Sequence, residues 1–121
     1  MNKIQYTVCY FTNDIELSMR IIKLCNKLKL QIAFPDADNI QEIKNIQSGI
    51  VIIDLDDPHE KSIKLGEEVK ALTDMTLIGI MKPYRKQIKK LVEKSGFDIV
   101  LPKSLLEHNL STIIHQTMGN A

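Results

Sequence analysis

Hydrophobic positions along this chain follow two different periods, and the two kinds of segment alternate. Five short apolar runs, rich in β-branched or aromatic residues, predict strands at residues 4–11, 30–34, 49–54, 76–81 and 97–101. Five longer segments with apolar residues at helical spacing predict helices at residues 14–30, 38–46, 57–72, 83–96 and 105–116. Strands that alternate with helices in this way predict parallel pairing with right-handed crossovers. The expected fold class is therefore α/β, a three-layer α/β/α sandwich around a five-stranded parallel sheet.

Polar residues and glycines at the ends of these segments predict where the helices begin and end. Three predicted N-caps have a capping-box partner three residues later: Asn13 with Glu16, Asp38 with Gln41, and Ser104 with Glu107. Pro83 opens the fourth predicted helix and Gly96 ends it. Within that helix, Ile88, Leu91 and Val92 are expected to face the core.

The polar residues that follow the strands are the candidates for chemistry, because ligands of open α/β sheets bind beyond the carboxyl ends of the strands. With the flavodoxin-like strand order 2-1-3-4-5, the ends of the first, third and fourth strands lie side by side. Asp14, Asp54 and Lys103 are then expected in one pocket. Carboxylates there could bind a hard cation through oxygen or attack a phosphoryl group, with the lysine balancing the added charge.

Composition and charge narrow the choice of partner. The 121 residues carry 16 basic and 15 acidic side chains, so no bulk charge favours nucleic acid or a membrane surface. The chain has no Trp and is poor in aromatic residues on which bases stack, so no nucleic-acid partner is expected. Residues 1–121 are expected to form a single cytoplasmic domain without a signal peptide or membrane span. Cys9 and Cys25 lack metal or redox spacing, and we expect buried, inert thiols.

The end of the third predicted strand carries a more specific pattern. Asp54 ends the apolar run GIVIID and Pro58 follows four residues later, while Lys103 follows Gly96 by seven residues. In these positions, and in its alternation of elements over essentially its whole length, the chain resembles a response-regulator receiver domain of the CheY-like family. The resemblance implies that Asp54 is a candidate phosphoacceptor and that Lys103 binds the phosphoryl group or pairs with Asp54.

Several positions depart from the pattern of that family. Receiver domains have two acidic residues after the first strand, but here the segment reads CYFTND and only Asp14 remains. Met81 stands where the fourth strand of a receiver ends in Ser or Thr, and Val100 stands at the aromatic switch position of the fifth strand. The resemblance therefore implies an atypical receiver, or pseudo-receiver, in which the parts that link phosphorylation to a conformational change are replaced.

Magnesium is the cofactor that the resemblance implies for a working site, whereas a degenerate site requires none. The candidate ligands are the carboxylates of Asp14 and Asp54 and the backbone carbonyl of Asp56. Apart from that carbonyl, Asp56 and Asp57 are most simply interpreted as turn and cap residues, with Asp57-Pro58 starting the third helix. The missing acidic residue after the first strand is expected to weaken the metal site.

Two functions are consistent with these residues. In the first, the chain is a stand-alone signalling module without catalytic activity, which binds a protein partner or itself independently of phosphorylation. In the second, a histidine kinase phosphorylates Asp54 with Mg²⁺ in two-component signal transduction. A small-molecule enzyme is not supported, because the chain has no GxGxxG, no P-loop and no nucleophile–histidine arrangement.

The basic segment KPYRKQIKKLVEK is the predicted partner face. It holds six basic residues and one acidic residue, a composition that suits an acidic partner but is also typical of a solvated helix face. The candidate contact residues are Lys82, Tyr84, Arg85 and Lys89. Receiver domains commonly bind partners through the corresponding region, so the resemblance favours the first interpretation.

Overall fold

A five-stranded parallel sheet forms the centre of the computed structural model, which describes residues 6–12, 14–56, 59–82 and 84–119. The strands are β1 Tyr6–Phe11, β2 Gln31–Ala33, β3 Ser48–Asp54, β4 Thr76–Met81 and β5 Ile99–Pro102. Their order is β2-β1-β3-β4-β5, and every neighbouring pair is parallel. The predicted strand order 2-1-3-4-5 is confirmed.

Helices cover both faces of the sheet. They are α1 Ile15–Lys27, a 3₁₀ helix Ala37–Asn45, α2 His59–Leu72, α3 Lys86–Lys94 and α4 Lys103–Gly119. α1 and α4 pack on one face, around Ile21, Ile52 and Leu110. The 3₁₀ helix, α2 and α3 pack on the other face, around Val51 and Val69. Two separate hydrophobic layers confirm the predicted three-layer sandwich. None of the described helices combines the length and the apolar character needed to cross a membrane.

The continuous apolar run of β3 follows from its central place in the sheet. Ile50 and Ile52 belong to the layer under α1 and α4, whereas Val51 and Ile53 belong to the opposite layer. All four side chains are at most 1% exposed, because helices cover both faces of a parallel sheet. The edge strand β2, in contrast, has only three residues, and none of them is fully buried.

The N-cap of α1 lies one residue later than the sequence indicated. Asp14 Oδ1 accepts a hydrogen bond from Leu17 N at 3.1 Å, and Ser18 Oγ donates to the Asp14 carbonyl at 2.8 Å. Asn13, the predicted cap, lies outside the described residues. The prediction was wrong because Asn and Asp are both strong capping residues, and only the direction of the chain after β1 selects one of them.

The second predicted helix is a 3₁₀ helix rather than an α-helix. Its cap is Asp36, whose side chain accepts a hydrogen bond from the N–H of Asp38 at 2.9 Å. Asn39 has a non-helical backbone (φ −135°, ψ 57°), which divides the segment into two short turns. Ile40 and Ile43 still reach the core, and their spacing of three residues matches one turn of a 3₁₀ helix.

α3 begins at Lys86, three residues after its predicted start at Pro83, which lies outside the described residues. Ile88 is half-buried and Val92 is fully buried, as predicted. Leu91, also predicted to face the core, is 45% exposed. Ile88 and Val92 are one helical turn apart and share the buried side, whereas the position of Leu91 is rotated toward solvent.

α4 follows β5 without a loop, since Pro102 ends the strand and Lys103 begins the helix. Ser104 therefore lies inside the first turn, and the capping box predicted between Ser104 and Glu107 is wrong. Glu107 instead forms an ion pair with α1, in which its Oε1 lies 3.4 Å from Nη1 of Arg20. The described residues contain no cis peptide bond, so the bond before Pro102 is trans. The direct connection holds Lys103 at the edge of the sheet.

Both cysteines are free and fully buried, as predicted. Cys9 lies in β1 and Cys25 in α1, and they belong to opposite hydrophobic layers. Burial raises the pKa of each thiol to about 11. The reactive thiolate is therefore scarce at neutral pH.

Candidate functional site

Four charged side chains meet at the carboxyl ends of the central strands. Asp54 is the last residue of β3, and Asp56 follows it by two residues. Asp14 precedes α1, and Lys103 is the first residue of α4. Because β1 and β3 are parallel neighbours, their carboxyl ends present side chains at the same edge of the sheet. The structure brings Asp14, Asp54 and Lys103 together, as expected from the sequence.

Lys103 lies at the centre of this carboxylate cluster. Its Nζ is 2.8 Å from Asp54 Oδ2, 3.1 Å from Asp56 Oδ2 and 3.6 Å from Asp14 Oδ2. The lysine side chain is only 12% exposed. Burial alone lowers the pKa of Lys103, but its hydrogen bonds to Asp54 and Asp56 and their negative charges outweigh burial and raise that pKa. The ammonium therefore stays protonated, and the ion pair expected between Lys103 and Asp54 is present.

Both carboxylate oxygens of Asp54 accept hydrogen bonds from the protein. Thr12 Oγ1 donates to Oδ2 at 2.8 Å, the same oxygen that pairs with Lys103. The backbone N–H of Asp56 donates to Oδ1 at 2.8 Å. The backbone carbonyl of Asp54 also accepts a hydrogen bond, from Ser62 Oγ at 2.7 Å. Asp54 is only 5% exposed, so little water reaches it. The hydrogen bonds and the ammonium of Lys103 therefore compensate most of its charge.

Asp56 connects the cluster to the loop between β4 and α3. The backbone N–H of Lys82 donates to Oδ2 at 2.7 Å, and Arg85 Nη2 lies 2.7 Å from Oδ1. The interpretation of Asp56 as a simple turn residue is therefore incomplete, since its side chain also binds two other segments of the chain. Asp57 and Pro58, the predicted start of α2, lie outside the described residues.

Asp14 is shared between the cluster and α1. Its hydrogen bond from a backbone N–H in the first turn of α1 is the main reason that the pKa of Asp14 is lowered, and the charges of Lys103 and Lys82 add to the effect. The backbone N–H of Asp14 donates to Thr12 Oγ1 at 3.0 Å. Thr12 thus connects the backbone of Asp14 to the carboxylate of Asp54.

The two positions predicted to be degenerate switch residues are buried. Met81 ends β4 with a fully buried side chain, and its Sδ accepts a hydrogen bond from the N–H of Arg85 at 3.1 Å. Val100, in β5, is 8% exposed and packs in the same hydrophobic layer. A thioether is a weak acceptor and has no proton to donate. Met81 therefore cannot donate a hydrogen bond to a phosphoryl oxygen beside Asp54.

Magnesium, which the resemblance implied, does not fit this donor set as it is arranged. Within the described ranges, no three His, Cys, Asp or Glu side chains are placed to share a metal ion. Lys103 Nζ lies among the carboxylates of Asp14, Asp54 and Asp56 at ion-pair distances. An ammonium group of the chain itself holds the position that a metal shared by these carboxylates would need.

A second polar region lies on α3 and the loop before it. We call it the α3 surface, and its members are Tyr84, Lys86, Lys89, Lys90 and Lys94. α3 has four lysines and one glutamate, which leave it a net charge of +3. Of the four predicted contact residues, Lys82 and Tyr84 are exposed and Lys89 is half-buried, whereas Arg85 is bound to Asp56. In the part of the chain that the structure describes, none of the α3 lysines forms an ion pair.

Two further residues, Thr12 and Arg85, bind the carboxylates of the cluster. Neither contact was predicted from the sequence. The parallel register of β1 and β3, continued by one residue, brings Thr12 opposite Asp54. The hydroxyl of Thr12 at the end of β1 could therefore have been used to predict a hydrogen bond to Asp54. No comparable signal existed for Arg85, because its contact with Asp56 depends on the path of the loop between β4 and α3.

Comparison by sequence finds no relatives, since no protein-family model matches the chain and no curated protein matches it significantly. Comparison by structure does find similar proteins. A response regulator receiver protein from Pseudoalteromonas atlantica has a TM-score of 0.77 at 18% identity, covering 94% of this chain and 98% of that chain. The BeF3-activated N-terminal receiver domain of RstA from Klebsiella pneumoniae has a TM-score of 0.77 at 14% identity, covering 92% and 97%.

The same fold also occurs in a putative pilus assembly protein, CpaE, from Burkholderia thailandensis. Its TM-score is 0.73 at 13% identity, covering 95% of this chain and 98% of that chain. The receiver fold expected from the sequence is confirmed, and it spans nearly the whole of the chain.

Proposed function

We propose that this chain is an atypical receiver module that signals through protein–protein contact, in the cytoplasm and without phosphorylation of Asp54. The receiver fold supports a signalling role. The observation that carries the rest is the state of Asp54, whose two carboxylate oxygens are both bound by donors of the chain. A carboxylate acts as a nucleophile through a free lone pair directed at the phosphorus. Oδ2 would have to give up Thr12 or Lys103 to do so, because both donors are on that oxygen. Oδ1 is held by the backbone N–H of Asp56, which reduces its nucleophilicity.

The surroundings of Asp54 also lack a means of reporting a phosphoryl group. Met81 has no hydroxyl to bind the group, and its sulfur already accepts the N–H of Arg85. Val100 has no ring that could change between buried and exposed positions. The loop between β4 and α3 is tied to Asp56 through Lys82 and Arg85. These contacts support a loop with one arrangement rather than two.

The α3 surface is the proposed docking site, and its partner is a protein with an acidic patch. Uncompensated lysines attract an acidic protein and accelerate the encounter. Tyr84 is 53% exposed and adds an aromatic side chain of the kind that is enriched at the centres of interfaces. Symmetric self-association through the same surface is opposed by charge, because two copies of α3 with a net charge of +3 would face each other.

A working phosphoacceptor is the second candidate function, and the position of Asp54 beside Lys103 at the end of β3 favours it. The two candidates differ in the mass of the protein after incubation with acetyl phosphate and Mg²⁺. We expect no phosphoryl adduct on wild type. An adduct that forms on wild type and is missing from Asp54→Asn would show that the proposed function is wrong.

A binding experiment tests the α3 surface directly. The wild-type chain, Asp54→Asn and the double variant Lys86→Glu/Lys90→Glu are used to capture proteins from the native cell. We expect the first two to retain the same acidic protein and the double variant to lose it. The matched control is Lys23→Glu/Lys27→Glu, which reverses two exposed lysines at the same spacing on α1. Equal retention by both double variants would exclude the α3 surface as the docking site.

A further inference from the structure

The charges of the carboxylate cluster are balanced from within the chain. We infer that Lys103 and Arg85 take the place of a divalent cation, so that the cluster is complete without Mg²⁺ and excludes it. This inference concerns the same site as the proposed function and deepens it by stating what holds that site in one state. It rests on the proposed function only insofar as both require the contacts of Lys103.

Every carboxylate oxygen of the cluster has a partner in the described chain. Asp54 Oδ1 binds a backbone N–H, and Asp54 Oδ2 binds Thr12 and Lys103. Asp56 Oδ1 binds Arg85, and Asp56 Oδ2 binds Lys103 and a backbone N–H. Asp14 Oδ1 caps α1, and Asp14 Oδ2 faces Lys103. Asp54 Oδ2 and Asp56 Oδ2 each already have two donors, and each of the other four oxygens has one. A metal shared by the three acids would have to compete with these donors.

The charges of the cluster also balance. Asp14, Asp54 and Asp56 carry three negative charges. Lys103 and Arg85 supply two positive charges that form ion pairs with these acids. Lys82 adds a third positive charge close enough to help lower the pKa of Asp14. The acids therefore present no net charge that would draw a divalent cation inward.

The coordination chemistry of Mg²⁺ makes its entry costly. Mg²⁺ requires near-octahedral oxygen ligands at about 2.0–2.1 Å. To reach Asp54 Oδ2 it would have to displace the ammonium of Lys103 from a contact of 2.8 Å. The displaced ammonium would lose its ion pairs with Asp54 and Asp56, or it would stay within reach of the metal, since the backbone of Lys103 lies at the edge of the sheet. In the second case two positive groups would repel each other in a largely buried site.

Mn²⁺ is a suitable probe, because it takes the same oxygen ligands as Mg²⁺ and its free form is measured by electron paramagnetic resonance. We would titrate Mn²⁺ into wild type, Lys103→Met and Arg85→Met, with Lys89→Met as the matched control on the α3 surface. We expect wild type and Lys89→Met to leave the signal of free Mn²⁺ unchanged up to about 1 mM. Lys103→Met should bind Mn²⁺ roughly tenfold more tightly, in competition with Mg²⁺, because removing the ammonium takes away one positive charge and one competing donor beside Asp14, Asp54 and Asp56.

Arg85→Met keeps Lys103 in place and should give an intermediate affinity, which provides a second test if Lys103→Met does not fold. Circular dichroism identifies the folded variants. Uptake of Mn²⁺ by wild type in competition with Mg²⁺ would overturn the inference, and so would folded variants that bind no more Mn²⁺ than wild type. Failure of the proposed function gives a different result, namely a phosphoryl adduct on Asp54 in the mass measurement.

Discussion

The carboxylate cluster and the α3 surface are neighbouring charged regions that differ in how their charges are used. In the cluster, Asp54 and Lys103 are largely buried, and each oxygen of the three acids has a donor. On the α3 surface, the lysines have no partner among the described residues. Buried charges are stable only when they are paired, whereas exposed charges need no partner within the chain. The cluster therefore serves the fold, and the α3 surface is free to bind another molecule.

Lys103→Met should have the largest effect on this comparison. Removal of the ammonium leaves Asp54 buried without its cation, and breaking a buried ion pair costs about 3 kcal/mol of unfolding free energy. Urea denaturation measures the difference between the variant and wild type. Lys89→Met is the control and should change the unfolding free energy by less than about 0.5 kcal/mol. Equal unfolding free energies of the two variants would show that Lys103 contributes no more to the stability of the fold than a lysine of the α3 surface.

Arg85→Met should have a smaller effect, because Arg85 is more exposed than Lys103. Its side chain is 37% exposed, although its contact with Asp56 is as short as the contact between Lys103 and Asp54. We expect a loss of about 1 kcal/mol in the unfolding free energy, the size of one partly screened charged hydrogen bond. Amide hydrogen exchange at Lys82 provides an independent measurement, since its N–H binds Asp56. Unchanged exchange there would show that Arg85 does not fix the loop.

The pH dependence of stability should separate two members of the cluster. The pKa of Lys103 is raised in the folded state, so its contribution is present below its ordinary pKa of 10.5 and is lost as pH rises through the folded value. The pKa of Asp14 is lowered, so its contribution is present above 3.8 and is lost as pH falls through the folded value. Thermal unfolding from acid to alkaline pH measures both contributions. As pH rises above 10.5, the melting temperature should fall less in Lys103→Met than in wild type. The same alkaline fall in both proteins would show that Lys103 does not contribute in this way.

Neutralising the α3 surface should have the smallest effect on the fold. Lys86→Gln/Lys90→Gln should change the unfolding free energy by less than about 0.5 kcal/mol, because both side chains are exposed and neither forms an ion pair with a residue that the structure describes. Binding to an acidic protein should become weaker and less dependent on salt. Unfolding in urea tests the first expectation, and affinity at two salt concentrations tests the second. A large loss of unfolding free energy would show that these lysines stabilise the fold, as Lys103 does.

The architecture of the protein was predictable because it depends on local patterns. The two hydrophobic periods distinguished strands from helices, and the apolar run that ends at Asp54 identified the central strand. The joint position of Asp54 and Lys103 followed from the strand order. Helix boundaries were less predictable, as Asp14 and Asp36 show, because neighbouring residues with similar capping propensity compete. A glycine inside α2 likewise gains its reason only from packing, because a Cβ on Gly66 would collide with the ring of Phe97.

The sequence by itself determined the order of the elements, the two hydrophobic layers and the position of an acid beside a lysine, because each follows from the period and type of nearby residues. The tertiary structure decided how the charges are paired. Arg85 reaches Asp56, and Thr12 reaches Asp54, across 29 and 42 residues of chain. Such contacts depend on the paths of loops and on strand register, which no local pattern encodes. The same packing left the lysines of α3 at the surface without partners in the described chain.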